Sequence, residues 1–433
     1  MVHRLTFEDP GFAAAFAALV DERRGTAPDV DATVSRILAA VRTEGLPALL
    51  RISNQLDGAR LDGADLRVGA EEITEGAAQC PREVRDALAL AARRIGDYHA
   101  RQRPADAEFT DETGIELGWR WTPIDAVGIY VPGGRAAYPS SLLMNAVPAA
   151  IAGVGRIAMV TPPGHLSPAV MAAAQIAGVT EIWRVGGAQA IAALAYGAGP
   201  IAPVDKVVGP GNAYVSAAKR QVYGVVGIDA LAGPSEIVVV ADAANNPHWI
   251  AVDLLSQAEH DPVAQSILIT DDAQFADAVA AAVEDEITSL TTQAAARASW
   301  DTHGAIIVAP AAHTADLVNA LAAEHVQLAI DAPRALAAQI RHAGAIFMGR
   351  LTPEAIGDYI AGSNHVLPTS RAARYSSGLS LFDFIKRTSL IACDAGALEA
   401  LGPATVALAD AEGLPAHSRS VAQRMGQAKL GAA

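Results

Sequence analysis

The segment Leu254–Asp261, LLSQAEHD, sets Gln257 and His260 three residues apart in an apolar stretch with helical character. At that spacing both side chains leave one helix face and can reach one ligand or metal ion. Ordinary hydrogen bonding or surface exposure accounts for the pair better when it is taken by itself, because Gln is an uncommon zinc ligand and the cysteine-pair and HExxH signatures are absent. Further chemistry-bearing residues follow. Glu324 and His325 are adjacent at the end of the helical pattern TADLVNALAAEH, just before VQLAI returns to sheet. A histidine beside a carboxylate there can divide proton acceptance near neutral pH between them, although the dipole at a helix C-terminus favours a histidine without any function. Asp358 follows Pro353 in the first turn of an expected helix, and His417 follows Pro415 near the start of another. A solvated helix acid and a capping histidine are the plain alternatives at those two positions.

Two glycine turns can bind an anion. VGGAQA at 185–190 and VGPGNAY at 208–214 each join a strand pattern to a helix pattern. Backbone N–H groups and the helix dipole favour negative charge at such a junction. A tight turn needing positive φ is the alternative. No GxGxxG fingerprint followed by an acid is present, so the usual dinucleotide motif does not license a cofactor.

In order and separation, GPGNAYVSAAKR (209–220), AGPSEIVVVAD (232–242), LLSQAEHD, the Glu324-His325 pair, GDYIAGSNHVLPT (357–369) and EGLPAH (412–417) resemble the histidinol dehydrogenase family, over about residues 118–417. The resemblance implies zinc ligands at Gln257, His260, Asp358 and His417, and an acid/base pair at Glu324 and His325. It places NAD near Tyr130, Gln189 and Asn212, with the YVPGG loop (130–134) passing close to it. Substrate contacts fall at Ser235 and Glu412, together with Gln257, His260, His325, Asp358 and His417. The implied reaction is a four-electron oxidation of L-histidinol to L-histidine through the aldehyde, with two NAD. A mixed nitrogen and oxygen shell leaves room for the imidazole and amine of such a substrate. The resemblance also implies a homodimer whose C-terminal tail completes the partner's site. One departure is EHVQ, with Val326 and Gln327 where the family more often has EHLE; a structural role is expected there. His365 matches the family and is assigned no role. A dehydrogenase for another small amino alcohol or a sulfonated diol is the rival reading; it would change Ser235, Glu412 or His417, and none is changed.

The elements that must hold these residues alternate short β-rich runs with Ala-rich helical stretches, the pattern of βα units around parallel sheets. One series runs through Arg156–Thr161, Glu181–Val185 and Asp205–Gly209; another through Glu236–Ala241, SILIT (266–270), AIIVAP (305–310) and AIFMG (345–349). The expected fold is α/β: two Rossmann-like, incomplete, doubly wound domains with small helical N- and C-terminal segments. The expected boundaries are a helical lead over 1–25, a first domain from 26–129 with 234–380 carrying the metal and acid/base residues, an NAD-binding domain over 130–233, and a helical tail over 381–433 without a strong strand.

Composition is consistent with small-molecule chemistry. Of 433 residues, 51% are hydrophobic and 18% charged, which fits a folded globular protein. A formal charge of −15 argues against a nucleic-acid surface and against attraction to acidic membranes. Only Cys80 and Cys393 are present, too few for a disulfide framework or a cysteine metal cluster, which suits a reducing cytoplasm. The start, MVHRLTFEDPGF, lacks the basic and apolar regions of a secretory signal. Residues 141–160 are long and apolar enough to suggest a membrane span, but Asn145, Pro148, Gly153, Gly155 and Arg156 interrupt them; a buried helix followed by the strand RIAMV is expected.

Overall fold

The computed structural model describes residues 2–22, 28–133, 138–231 and 233–431. The chain forms two compact units, Met1–Gln102 with Ile124–Phe384, and Arg103–Pro123 with Ile385–Ala433.

The first unit contains two parallel sheets. The six-stranded sheet runs, edge to edge, His3–Thr6, Ala305–Val308, Gln265–Thr270, Glu236–Ala241, His325–Ala329 and Ala345–Met348. Its central strands EIVVVA and QSILIT are buried at every residue, because helices cover both faces and no solvated face exists to call for alternation. On one face pack Ile250, Leu254, Phe275, Val279, Val283 and Trp300 from three helices; on the other pack Phe12, Leu317, Val318 and Leu321. The five-stranded sheet runs Glu181–Arg184, Arg156–Thr161, Ala126–Tyr130, Lys206–Val208 and Gly227–Ile228. Counting from Ala126–Tyr130 in one sheet and from Glu236–Ala241 in the other, both follow the order 3-2-1-4-5, with His3–Thr6 added at one edge of the larger sheet. Both are therefore incomplete doubly wound α/β sheets, with a reversal of strand order beside the first strand of each.

Three features differ from the expectations. The lead before residue 25 is not purely helical: His3–Thr6 pairs in parallel with Ala305–Val308, ahead of the helix Phe12–Asp21. The helices Pro28–Glu44 and Leu46–Leu56 pack on Gly187–Tyr196, and Ala70–Ala78 and Arg82–Ala100 pack on Pro168–Ile176, so residues 28–100 cover the five-stranded sheet and not the six-stranded one. The strand Ala126–Tyr130 likewise belongs to the five-stranded sheet. Charged, amphipathic helices carry no sequence mark of which sheet they will cover. The buried helix Pro139–Ala152 followed by the strand Arg156–Thr161 is found as expected. No helix among the described residues is long and apolar enough to cross a membrane.

The second unit is a three-stranded antiparallel sheet, Ile385–Ala392 against Glu116–Pro123 against Ala107–Thr110, with a helix pair, Ala395–Ala411 and Pro415–Gly431. The tail was expected to lack a strand, yet Ile385–Ala392 pairs over its whole length. Neither end of it is buried and most of it is exposed, so IKRTSLIA lacks the alternation that marks a half-buried strand. The two helices meet closely at Gly402, which lies against Met425.

Candidate functional site

At the amino edge of the six-stranded sheet, Glu324 precedes and His325 opens the strand His325–Ala329. The preceding helix stops at Leu321, where Ala322 takes a left-handed conformation (φ 50°). The pair therefore sits at a buried strand start and not at the helix end the sequence suggested. The neighbouring strand starts with Glu236, whose two backbone groups hold both residues. Its N–H donates to Glu324 Oε2 at 3.1 Å, and its carbonyl lies 3.0 Å from His325 Nδ1. A carbonyl only accepts, so Nδ1 carries the hydrogen and Nε2 is left as the working nitrogen. The Glu236 carboxylate accepts from Ser370 N–H at 3.1 Å. Ser235, half-buried just before it, accepts from Gln265 N–H at 2.9 Å through its carbonyl.

His325 Nε2 is buried without a hydrogen-bond partner, 3.6 Å from both Glu354 Oε1 and Asp358 Oδ1. Glu354 was not anticipated, although TPEAIGDY carries a signal: Glu354 and Asp358 stand four apart on the short helix Glu354–Tyr359. Gln257 Nε2 donates to Glu354 Oε1 at 2.6 Å and Ser256 Oγ to Glu354 Oε2 at 3.0 Å, while Gln257 Oε1 is buried and unpartnered. Gln257 lies in the last turn of Pro247–Ala258, and His260 lies beyond its end, exposed in a turn whose N–H bonds Gln257 O at 3.1 Å. His260 is close enough for its charge to act on His365, whose Nδ1 is 2.9 Å from the Asp358 carbonyl.

The electrostatics favour a cation. Burial and the neighbouring Asp358 push Glu354 up to about 8. Burial also pushes Glu324 up to about 7. Burial alone would lower His325, but Glu324, Asp358 and Glu354 overcome it and raise the imidazole to about 10. Burial would raise Asp358 too, and His325 instead holds it down at about 2. Glu324, Glu354 and Asp358 thus crowd His325, and a cation held by the carboxylates would relieve their repulsion and release His325 as a base. Ligand atoms of His325, Glu354 and Asp358 lie within 4.8 Å of one another, and the unpartnered Gln257 oxygen suits the same cation. Glu412 caps the end of Ala395–Ala411 and His417 lies in the first turn of Pro415–Gly431; both belong to the second unit and are exposed.

Gln327 faces Asp253 and donates to it at 2.6 Å. Burial raises Asp253 to about 6, against the lowering effect of that bond. A glutamate at 327 would set two carboxyl groups against each other.

The carboxyl edge of the five-stranded sheet has different chemistry. Tyr130 ends the strand Ala126–Tyr130, is buried, and accepts from Gly187 N–H at 3.1 Å through its hydroxyl. Gln189, in the first turn of Gly187–Tyr196, donates to Asp57 Oδ2 at 3.3 Å, with its own Oε1 buried and unpartnered. Gly187 has φ +62° and a Cβ there would meet Gln189 Oε1 at 2.6 Å, so only glycine fits. Across the reversal point, Lys219 and Asp229 form a buried ion pair that grips both backbone groups of Gly209: Lys219 Nζ donates to Gly209 O at 3.0 Å and Gly209 N–H donates to Asp229 Oδ2 at 2.7 Å. Asn212, exposed, caps Ala213–Val222 by accepting from the N–H groups of Tyr214 and Val215 at 3.1 and 3.2 Å. Gly134 of the YVPGG loop and Ala232 of AGPSEIVVVAD lie outside the described residues.

The chain is similar to known proteins along nearly its whole length. The histidinol dehydrogenase family model matches residues 21–425. A histidinol dehydrogenase of Caulobacter vibrioides is 66% identical over 424 residues, covering 98% of this chain and 99% of that one. Another, from Rhodospirillum rubrum, is 59% identical over 431 residues, 98% of each chain. A crystal structure of histidinol dehydrogenase from Elizabethkingia anophelis superposes with a TM-score of 0.93 at 34% identity, covering 98% of both chains.

Proposed function

The chain belongs to the histidinol dehydrogenase family and is an oxidoreductase, and from that premise we propose that it oxidises L-histidinol to L-histidine through histidinaldehyde with two NAD, the last steps of histidine biosynthesis, as a zinc-dependent cytoplasmic homodimer. The observation that carries the reading is the Glu324–His325 pair, held by both backbone groups of Glu236 beside two carboxylates. Gln257, His260 and Asp358, with His417 from a second copy of the chain, would hold zinc, which supplies a positive template for the substrate imidazole and amine. Tyr130, Gln189 and Asn212 would hold NAD, which supplies the hydride acceptor for each oxidation.

The chain's own groups divide the remaining work. His325 accepts the alcohol proton at Nε2 as the first hydride departs, then loses it to solvent. Glu324, raised by burial toward neutral pH, takes a proton from water as that water adds to the aldehyde carbon. His325 accepts again as the hydrated aldehyde loses its hydride. Ser235 and Glu412 bind substrate, the acid pairing with its ammonium group.

Purified, zinc-loaded protein given histidinol and NAD yields two NADH per histidinol. One NADH with accumulating aldehyde, or no rate above background, overturns the proposal. The shared site has its own test. Mixing inactive His417→Ala with inactive His260→Ala protein gives heterodimers in which one site collects both lesions and the other none. Random exchange then recovers about one quarter of wild-type sites, and heterodimers that stay inactive would place each site within one chain.

A further inference from the structure

In a doubly wound half-sheet, the acid that reads the ribose hydroxyls of a dinucleotide stands at the carboxyl end of the second strand. Here that strand, Arg156–Thr161, runs out into Pro162, Pro163, Gly164 and His165, with no acid. An acid arrives from elsewhere. Asp57 closes the helix Leu46–Leu56, which packs against the helix opened by Gly187. We propose that Asp57 takes the place of the missing acid, accepting the adenosine 2′-hydroxyl of the cofactor and so selecting NAD over NADP.

Three observations support the assignment, which rests on reading the carboxyl edge of the five-stranded sheet as the dinucleotide site. The Asp57 carboxylate receives Gln189 Nε2 at 3.3 Å through Oδ2, which leaves Oδ1 open to a ligand hydroxyl among the described residues. Its charge acts on the Tyr130 hydroxyl, at the end of Ala126–Tyr130, and His165, just past Arg156–Thr161, acts on its carboxyl, so it lies near the carboxyl ends of these two adjacent strands. Gln189, which the family resemblance sets beside the cofactor, lies in the first turn of its helix and ties Asp57 to that turn, its own Oε1 buried and unpartnered. A 2′-phosphate would bring a charge of roughly −1.5 to −2 against this carboxylate. The potentially cationic side chain that acts on the Asp57 carboxyl is His165. The site thus holds a hydroxyl and repels a phosphate.

The test uses wild type, Asp57→Asn and Asp57→Ser. NADH and NADPH binding is measured by calorimetry without substrate, and kcat/KM with NAD and with NADP. Wild type should prefer NADH. Asp57→Ser should bind NADH about 10-fold more weakly and NADPH more tightly, so that the preference falls by about 100-fold, a loss of one charge-assisted hydrogen bond and of the repulsion. Asp57→Asn keeps the bond from Gln189 and should shift the preference the same way by a smaller factor. KM for histidinol and zinc content should stay at wild-type values in both. Wild type binding NADH and NADPH equally, or variants that weaken both nucleotides in step, would reduce Asp57 to a structural role and leave the dinucleotide site standing. Wild type binding neither nucleotide would overturn the dinucleotide site and this inference together.

Discussion

The two parallel sheets share one strand order, 3-2-1-4-5, and put their chemistry at opposite ends. In the five-stranded sheet the notable groups, Tyr130, Gly187, Gln189 and Gly209, gather at the carboxyl ends of the strands beside the reversal point. Helices begin there, and their free N–H groups and positive dipole ends favour an anion such as a pyrophosphate. In the six-stranded sheet Glu236 and His325 are the first residues of their strands, and Gln257 lies where a helix ends. Helix ends present carbonyl groups and a negative dipole, which suit a metal cation or a protonated imidazole. One topology therefore offers two electrostatically opposite edges, and this chain gathers functional groups at one edge of each sheet.

The comparison breaks most visibly at the amino edge. His325→Asn should lower kcat by about 10²- to 10⁴-fold in both oxidations, as expected for loss of an acid/base group, while NADH binds with wild-type affinity in a fluorescence titration. If NADH binding weakens as well, the two edges are not separable. At the other edge, Lys219→Met leaves the buried Asp229 uncompensated and should cost about 3–5 kcal/mol of unfolding free energy. Pairing it with Asp229→Leu should restore most of the stability in urea titrations. It should not restore nucleotide affinity, because Gly209 remains ungripped; full recovery of binding would show the clamp to be structural only.

Glu324→Gln sharpens the amino edge internally. Single-turnover oxidation of histidinaldehyde should fall about 10²-fold further than that of histidinol, because only the aldehyde must be hydrated; equal losses contradict the division of labour. The smallest effect concerns Asp253. Burial raises its carboxyl to about 6, so between pH 4 and 6 the folded state binds more protons than the unfolded state, and stability falls as pH rises through that window. Asp253→Asn should therefore be more stable than wild type by about 2 kcal/mol above pH 6, with the difference gone below pH 4. A gain that persists at pH 4 would point to packing instead.

The candidate site residues were legible where they lie in long sequence motifs with local geometry. Asn212 caps the helix that follows its turn, and the glycine turn at Gly187 takes a positive φ where a Cβ would collide. Glu354 could have been found from its i,i+4 spacing to Asp358. Glu236 and Asp57 could not. The first resembles any charged residue at a strand start, and its role lies in its backbone N–H and carbonyl, which nearly every residue carries. The second is separated from Gln189 by well over a hundred residues and meets it only through packing.

Sequence alone determined the α/β class, the run of strands and helices through both series, the family, and a set of candidate acids, histidines and amides from which Glu354, Glu236 and Asp57 were missing. Hydrophobic periodicity and turn residues act over a few positions, so they can be read one segment at a time. Tertiary structure decided which sheet the helices of residues 28–100 cover, that His3–Thr6 and Ile385–Ala392 are strands, and at which edge of each sheet the groups meet. Those outcomes depend on contacts between distant segments, where a strand forms because a partner is present and a carboxylate is raised because other residues bury it.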